Sequence, residues 1–213
     1  MSLNHKHPKN IEKYGKGIFK DDYGFIKKYP EKWLYGADNT GDFTKVKNIM
    51  WYRDYVKKWC GTGKLHLITG DAGMNSPTVS LRDLQMIDYA QVAMVAACGT
   101  VGTNCVTKHF LPYIRSIPKS YYGSGFFVNY IYVYYLLFED LRLIKPHCSN
   151  PDSGEFYVVG LKKRNISDED TRAIVEKLNT FKTNNCFFPE NKIPENFKIQ
   201  VIEFINKILK MTA

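Results

Sequence analysis

Apolar positions along the chain follow two rhythms. A helical spacing runs from Thr44 to Trp59, where Val46, Ile49, Met50, Tyr52 and Val56 share a face, and Gly61 and Gly63 stop it. It returns over residues 81–98 through Leu84, Ile87, Met94, Val95 and Cys98, ended by Gly99 and Gly102. Gly125–Leu141 reads as an aromatic-rich helix, although Val128–Tyr134 also suits a strand. Two more helices are predicted near Asp168–Phe181, with Ser167 as N-cap, and Glu195–Lys210. Between them lie short β-prone runs at Trp33–Ala37, Leu65–Thr69, Asn104–His109, Leu143–Lys145 and Glu155–Val159. Strands alternating with helices predict an α/β fold.

Three of these runs carry an ionisable residue at one end. The first two reach Asp71 and Lys108 as they finish, whereas the third starts on Glu155. An α/β sheet delivers chemistry at strand ends, which makes these three the candidate catalytic residues. Each also has a plain structural reading: Asp71 as a turn cap, Lys108 as a paired strand charge, Glu155 as an edge-strand charge. His66, His109 and His147 read as structural or exposed. The tyrosines from Tyr121 to Tyr135 suit either base stacking or a helix half in the core.

Composition narrows the class. With 213 residues, 44% hydrophobic and 15% aromatic, the chain is globular, and its net charge of +9 suits a polyanionic partner, RNA first. The five cysteines have no paired spacing, which speaks against a disulfide framework or zinc ribbon and for an intracellular, cytoplasmic setting. Neither an 18-residue apolar run nor a signal-like N-terminus is present, so no membrane partner is expected. Residues 1–32 form a basic, irregular arm, 33–164 the core, and 165–213 a helical extension.

Taken together, Gly41-Asp42-Phe43, Ile68-Thr69-Gly70-Asp71-Ala72-Gly73-Met74-Asn75, Val106-Thr107-Lys108, Lys145-Pro146 and Ser153-Gly154-Glu155-Phe156-Tyr157-Val158-Val159 resemble the FtsJ-like ribose 2′-O-methyltransferases, especially the cap-methylating members of large DNA viruses. The match covers roughly residues 33–164. It implies a Rossmann-like methyltransferase fold with a mainly parallel sheet, S-adenosylmethionine as cofactor, and a Lys–Asp–Lys–Glu tetrad. Asp71, Lys108 and Glu155 match its last three members. Asp42 and Phe43, with Asp71, fall where the family holds the cofactor. Asn75 and Lys145 lie in the matching motifs and are RNA-contact candidates, together with the basic run Lys162, Lys163 and Arg164, whose charge suits either a solvated face or phosphate contact.

The chemistry suits those residue types. A methyl sulfonium is already electrophilic, so the task is to align a ribose hydroxyl and remove its proton. A lysine does this only when its pKa falls well below about 10.4, through burial or a nearby cation. No metal is needed.

Two departures stand out. The family's glycine-rich cofactor loop, its flanking strands and the first tetrad lysine have no counterpart among the polar residues before Trp33. Asn150 also stands where Arg is frequent, and Gly154 where a small polar residue is usual. The expected fold therefore lacks the first strands. That leaves the C-terminal part of a larger enzyme, a subunit completed by a second chain, or a reduced homologue. The sequence reading is an RNA ribose 2′-O-methyltransferase acting at an mRNA cap, with an inactive RNA-binding or scaffolding subunit as the alternative.

Overall fold

The computed structural model describes residues 3–14, 21–73, 80–111, 125–150, 153–182 and 187–211. Its elements in chain order are α1 (Pro8–Tyr14), α2 (Phe25–Lys28), α3 (Val46–Cys60), β1 (Leu67–Gly70), α4 (Leu81–Cys98), β2 (Asn104–Phe110), α5 (Phe126–Leu137), β3 (Phe138–Ile144), β4 (Glu155–Lys163), α6 (Asp168–Glu176) and α7 (Glu195–Met211). Short 3₁₀ turns occupy Pro30–Lys32, Lys177–Thr180 and Glu190–Lys192. Among the described residues, no helix is long and apolar enough to cross a membrane.

The α/β class holds, but the sheet is mixed rather than mainly parallel. Its order is β1-β2-β4-β3. β1 pairs parallel with β2, through Ile68 opposite Cys105 and Gly70 opposite Thr107. β4 is antiparallel to both of its neighbours, with Lys108 opposite Tyr157 on one side and Arg142 opposite Val159 on the other. Connection length explains the difference. The β1–α4–β2 crossover carries a helix and returns in the same direction, whereas ten residues from Ile144 to Glu155 only reverse the chain. β1, β2 and β3 therefore run one way, and β4 is inserted against them.

One face of this sheet is buried. Cys105, Thr107 and His109 of β2 and Phe156, Val158 and Gly160 of β4 point into the core, alternating with half-buried neighbours. α4 and α5 pack here, and Phe204 of α7 meets the ring of Phe156 at 5.7 Å. α4 is buried along its whole second half because α3, α5 and α6 surround it. Ser80 and Ser167 cap α4 and α6, each accepting from the backbone N–H three residues on.

The aromatic helix ends earlier than its composition suggests. α5 stops at Leu137, and Phe138 begins a strand, because pairing with β4 outweighs a local pattern that fits both states. The guanidinium of Arg164 donates to the carbonyls of Tyr135 and Phe138, and its backbone N–H to Leu137 at 2.7 Å, closing the helix end. The tyrosines of this helix are mostly core: Tyr130 and Tyr134 are fully buried, and Tyr135 alone among the described ones is exposed. Tyr121 and Tyr122 lie outside the described residues.

The expected strand Trp33–Ala37 is absent. Its carbonyls serve turns and side chains instead: Leu34 accepts from Tyr52 Oη at 2.9 Å, and Tyr35 from the N–H of Gly41 at 2.7 Å. The N-terminal residues are also less irregular than their composition suggests. α1 forms there, and the buried side chains of Asn4 and Asn10 donate to the carbonyls of Asn39 and Thr40 at 2.8 and 2.7 Å.

β4 tolerates its place between two strands because Gly160 leaves room for a ring. A Cβ there would lie 2.6 Å from Phe138, which is 1% exposed. Gly160→Ala should therefore destabilise the fold by about 1–3 kcal/mol through overpacking. In urea unfolding, Phe138→Leu in the same chain should recover part of that loss.

Candidate active site

The topology collects four chain segments at one edge of the sheet. β1, β2 and β3 end there, and the reversed β4 begins there: Phe110 is opposite Glu155, and Ile144 opposite Tyr157. That carboxyl edge is where open α/β sheets bind ligands.

At the end of β1, Gly70 makes a close approach possible. A Cβ would lie 2.7 Å from Gln91 Oε1 and 3.1 Å from Thr107 Cγ2. Asp71 follows, and its carboxylate forms an ion pair with Lys108 Nζ. The two partners differ in burial: the Lys108 side chain is 17% exposed and that of Asp71 79%. The lysine stem is thus sheltered, while the carboxylate faces water. Lys108 Nζ also sits 5.4 Å from the Phe110 ring centroid, and Gln91 Nε2 donates to the Lys108 carbonyl at 2.8 Å.

Glu155 lies on the same face as Lys108, diagonally across the β2–β4 ladder, where Cβ atoms are roughly 7 Å apart. Tyr157 connects the two. It stands directly opposite Lys108 and donates its hydroxyl to Glu155 Oε1 at 3.3 Å. Burial pushes its phenol pKa up, and the charges of Glu155 and Asp71 add to the shift. Sequence reading passed over Tyr157. The signal was the period of two, which puts residue 157 on the face of residue 155.

The loop before β4 is tied to Glu155. Lys145 Nζ donates to Ser149 Oγ, the Asn150 carbonyl and the Ser153 carbonyl at 3.1, 3.0 and 2.6 Å. Ser149 Oγ donates in turn to Glu155 Oε1 at 3.2 Å. Burial lowers the pKa of Lys145, and the Glu155 charge partly offsets it.

On the opposite face, His109 is fully buried. Its Nδ1 lies 2.8 Å from Asp88 Oδ1 and its Nε2 3.0 Å from Thr107 Oγ1, with Tyr134 Oη beside them. Burial pushes the Asp88 carboxyl up, against the pull of His109. His109 is structural, fixing the strand that presents Lys108. Cys98 and Cys105 belong to the same core, and burial pushes both thiols up to about 12.

Asp42 and Phe43 occupy a turn built around Asn48, which is fully buried at the start of α3. Asn48 Nδ2 donates to Asp38 Oδ1 at 2.9 Å and to the Asp42 carbonyl at 2.8 Å. Asp42 Oδ1 accepts from both Thr44 N and Thr44 Oγ1, at 3.0 and 2.6 Å. Its Oδ2 meets Lys45 Nζ at 3.8 Å. Phe43 packs half-buried on the core.

The remaining cations do not form a single patch. Lys162 is exposed, at a positive φ of 56°, and reaches Glu139 at 3.7 Å. Lys163 is 4% exposed, with its Cδ against Gly99 at the C-terminus of α4. Burial pushes its pKa down. The structure therefore keeps Lys163 from the surface on which a phosphate contact was expected. Arg164 caps α5, as described above. Asn75 lies outside the described residues. Among those residues, no group of three His, Cys, Asp or Glu could hold a metal ion.

Comparison with known proteins gives the arrangement a context. No protein-family model matches the chain. It is 26% identical over 89% of its length to an uncharacterized protein of Acanthamoeba polyphaga mimivirus. It is 25% identical over 78% to the cap-specific mRNA (nucleoside-2′-O-)-methyltransferase 2 of Mus musculus, and 24% identical over 76% to a probable methyltransferase of African swine fever virus. The chain spans only 23%, 20% and 38% of those three proteins. It is a distant homologue of proteins named as methyltransferases.

The Asn48 turn makes a pH-dependent contribution to stability. Burial disfavours the Asp38 carboxylate, but hydrogen bonds from Thr40, Asn48 and Lys45 hold it well below its ordinary value of 3.8. A depressed folded-state pKa gives stability that is present above about pH 4 and lost as acid protonates the group. Asp38→Asn should cost about 2 kcal/mol at neutral pH and flatten the acid limb of the stability curve. Urea unfolding across the acid range measures both effects.

Proposed function

We propose that this chain carries the catalytic edge of an S-adenosylmethionine-dependent methyltransferase that acts on a ribose 2′-hydroxyl of RNA, at an mRNA cap. The observation that carries the reading is the Asp71–Lys108 ion pair diagonal to Glu155 at the carboxyl edge of the sheet. The names of the relatives supply the substrate class.

The residues present fit one side of the cofactor. Among the described residues Asp42 Oδ2 accepts no hydrogen bond and meets Lys45 Nζ only at 3.8 Å, and Phe43, next in the chain, is half-buried. Together they would hold the adenine. S-adenosylmethionine would supply the electrophilic methyl group. The remaining contacts would come from a segment or second chain beyond these residues.

Lys108 then has the role of general base. Its stem is sheltered, Gln91 holds its backbone and Asp71 orients the amine, while the neutral amine that the role requires would need a neighbouring cation from the segment or second chain that completes the site. Glu155 accepts through Oε2, which has no partner among the described residues, while Oε1 is held by Ser149 and Tyr157. The exposed Lys162 is available to phosphates.

The chain alone should bind S-adenosylmethionine weakly or not at all; in the complex completed by the missing segment or second chain, with labelled cofactor and capped RNA, Lys108→Ala should lower kcat at least about 100-fold and leave cofactor affinity within about two-fold. A completed complex that binds RNA but transfers no methyl group, with or without Lys108, would support the scaffolding alternative.

RNA binding should also depend on salt. If about four phosphates of single-stranded RNA are contacted, affinity should fall roughly 50-fold between about 50 and 200 mM salt. Affinity that does not change with salt would remove RNA as the partner of this basic chain.

A further inference from the structure

We infer that Lys145 is a positioning residue for Glu155: its ammonium closes the loop between β3 and β4 and directs the Ser149 hydroxyl onto the carboxylate. This rests on the reading of Glu155 as a site group.

The donors of Lys145 are fully engaged. A lysine ammonium has three N–H bonds, and three acceptors surround this one: Ser149 Oγ at 3.1 Å, the Asn150 carbonyl at 3.0 Å and the Ser153 carbonyl at 2.6 Å. A phosphate would have to displace one of them. Among the described residues of the loop, no strand pairing holds it. Its backbone turns rest on Ser149 N–H to Pro146 O and Ser153 N–H to Asn150 O, both 3.1 Å. Without the ammonium, the carbonyls of Asn150 and Ser153 would lose a charge-assisted donor.

The arrangement also has a direction. Ser149 Oγ has one hydrogen, and it goes to Glu155 Oε1 at 3.2 Å. Its contact with Lys145 must therefore be one in which it accepts. Lys145 orients Ser149, and Ser149 fixes Oε1. Tyr157 supplies a second hydroxyl to the same oxygen at 3.3 Å, and Ser153 Oγ accepts the Glu155 backbone N–H, also at 3.3 Å. Burial depresses the lysine pKa, and the Glu155 charge opposes that shift.

A phosphate-binding lysine and a loop-closing lysine respond differently to arginine. Arginine keeps the charge and serves a phosphate well, but its planar fork cannot meet three acceptors converging on one nitrogen. The test compares Lys145→Met, Lys145→Arg and Ser149→Ala in the full chain, with folding checked by thermal unfolding. Two arms do not depend on methyl transfer. Hydrogen exchange of the amides of Ser149, Ser153 and Glu155 should speed up at least 10-fold in both lysine variants. RNA affinity and its salt slope should stay within two-fold of wild type in all three. In the third arm, kcat for methyl transfer should drop at least 10-fold in both lysine variants and less in Ser149→Ala, with KM for RNA unchanged. The proposal is overturned if Lys145→Met weakens RNA binding and flattens the salt slope while Lys145→Arg restores both, or if loop exchange is unaffected. An inactive complex of the wild-type chain with the segment or second chain that completes the cofactor site would sink the methyl-transfer reading, and the exchange arm would still decide whether Lys145 holds the loop.

Discussion

The reversed strand β4 is the constraint on which the rest of this structure depends. Lying between two strands that run the other way, it starts where they end, so Glu155 arrives at the edge already occupied by Asp71 and Lys108. A parallel β4 would put its first residue at the opposite edge, about seven residues of strand away. The insertion has a steric requirement, met by Gly160 beneath Phe138. It also has a conformational one, since Lys162 adopts a positive φ of 56° near the end of the strand. That left-handed residue interrupts the alternation of the pleat, and Lys163 then turns inward beside Phe138, its ladder partner.

The two faces of β2 do different work because a strand presents successive residues to opposite sides. His109, bonded to Asp88 and packed against Tyr130, Tyr134 and Phe156, anchors the strand in the core. Its neighbour Lys108 is consequently held on the half-exposed face. A buried polar network of this kind is sensitive to loss of any member, since the remaining groups would be left unsatisfied away from water. Rigidity behind the site and openness in front of it come from the same seven residues.

In the turns and loops, polar side chains mostly hold one another. Asn48 organises the turn carrying Asp42, Asn4 and Asn10 pin the N-terminal segment to that turn, and Lys145 closes the loop before Glu155. Among the described residues, the second oxygens of Glu155 and Asp42 accept no hydrogen bond, and the Asp71 carboxylate, paired with Lys108, is largely exposed. Those are the atoms a ligand would find.

The sequence by itself determined the α/β class, the extent of α4, the Ser167 cap, the positions of Asp71 and Glu155 at strand ends and that of Lys108 near one. Each follows from local periodicity or from a residue whose preference is intrinsic. It could not determine the direction of β4, because an apolar run reads the same for parallel and antiparallel pairing. Nor could it place the end of α5, where helix and strand patterns coincide over an aromatic stretch. The strand expected at Trp33–Ala37 failed for a related reason, since its backbone groups found turn partners and Tyr52 instead of a ladder. The fates of Lys145, Lys163 and Arg164 were likewise decided by tertiary contacts. A lysine or arginine in a sequence is only a charge on a flexible stem. Whether it faces solvent, lies against a helix end or closes a loop depends on which carbonyls the fold brings within its reach.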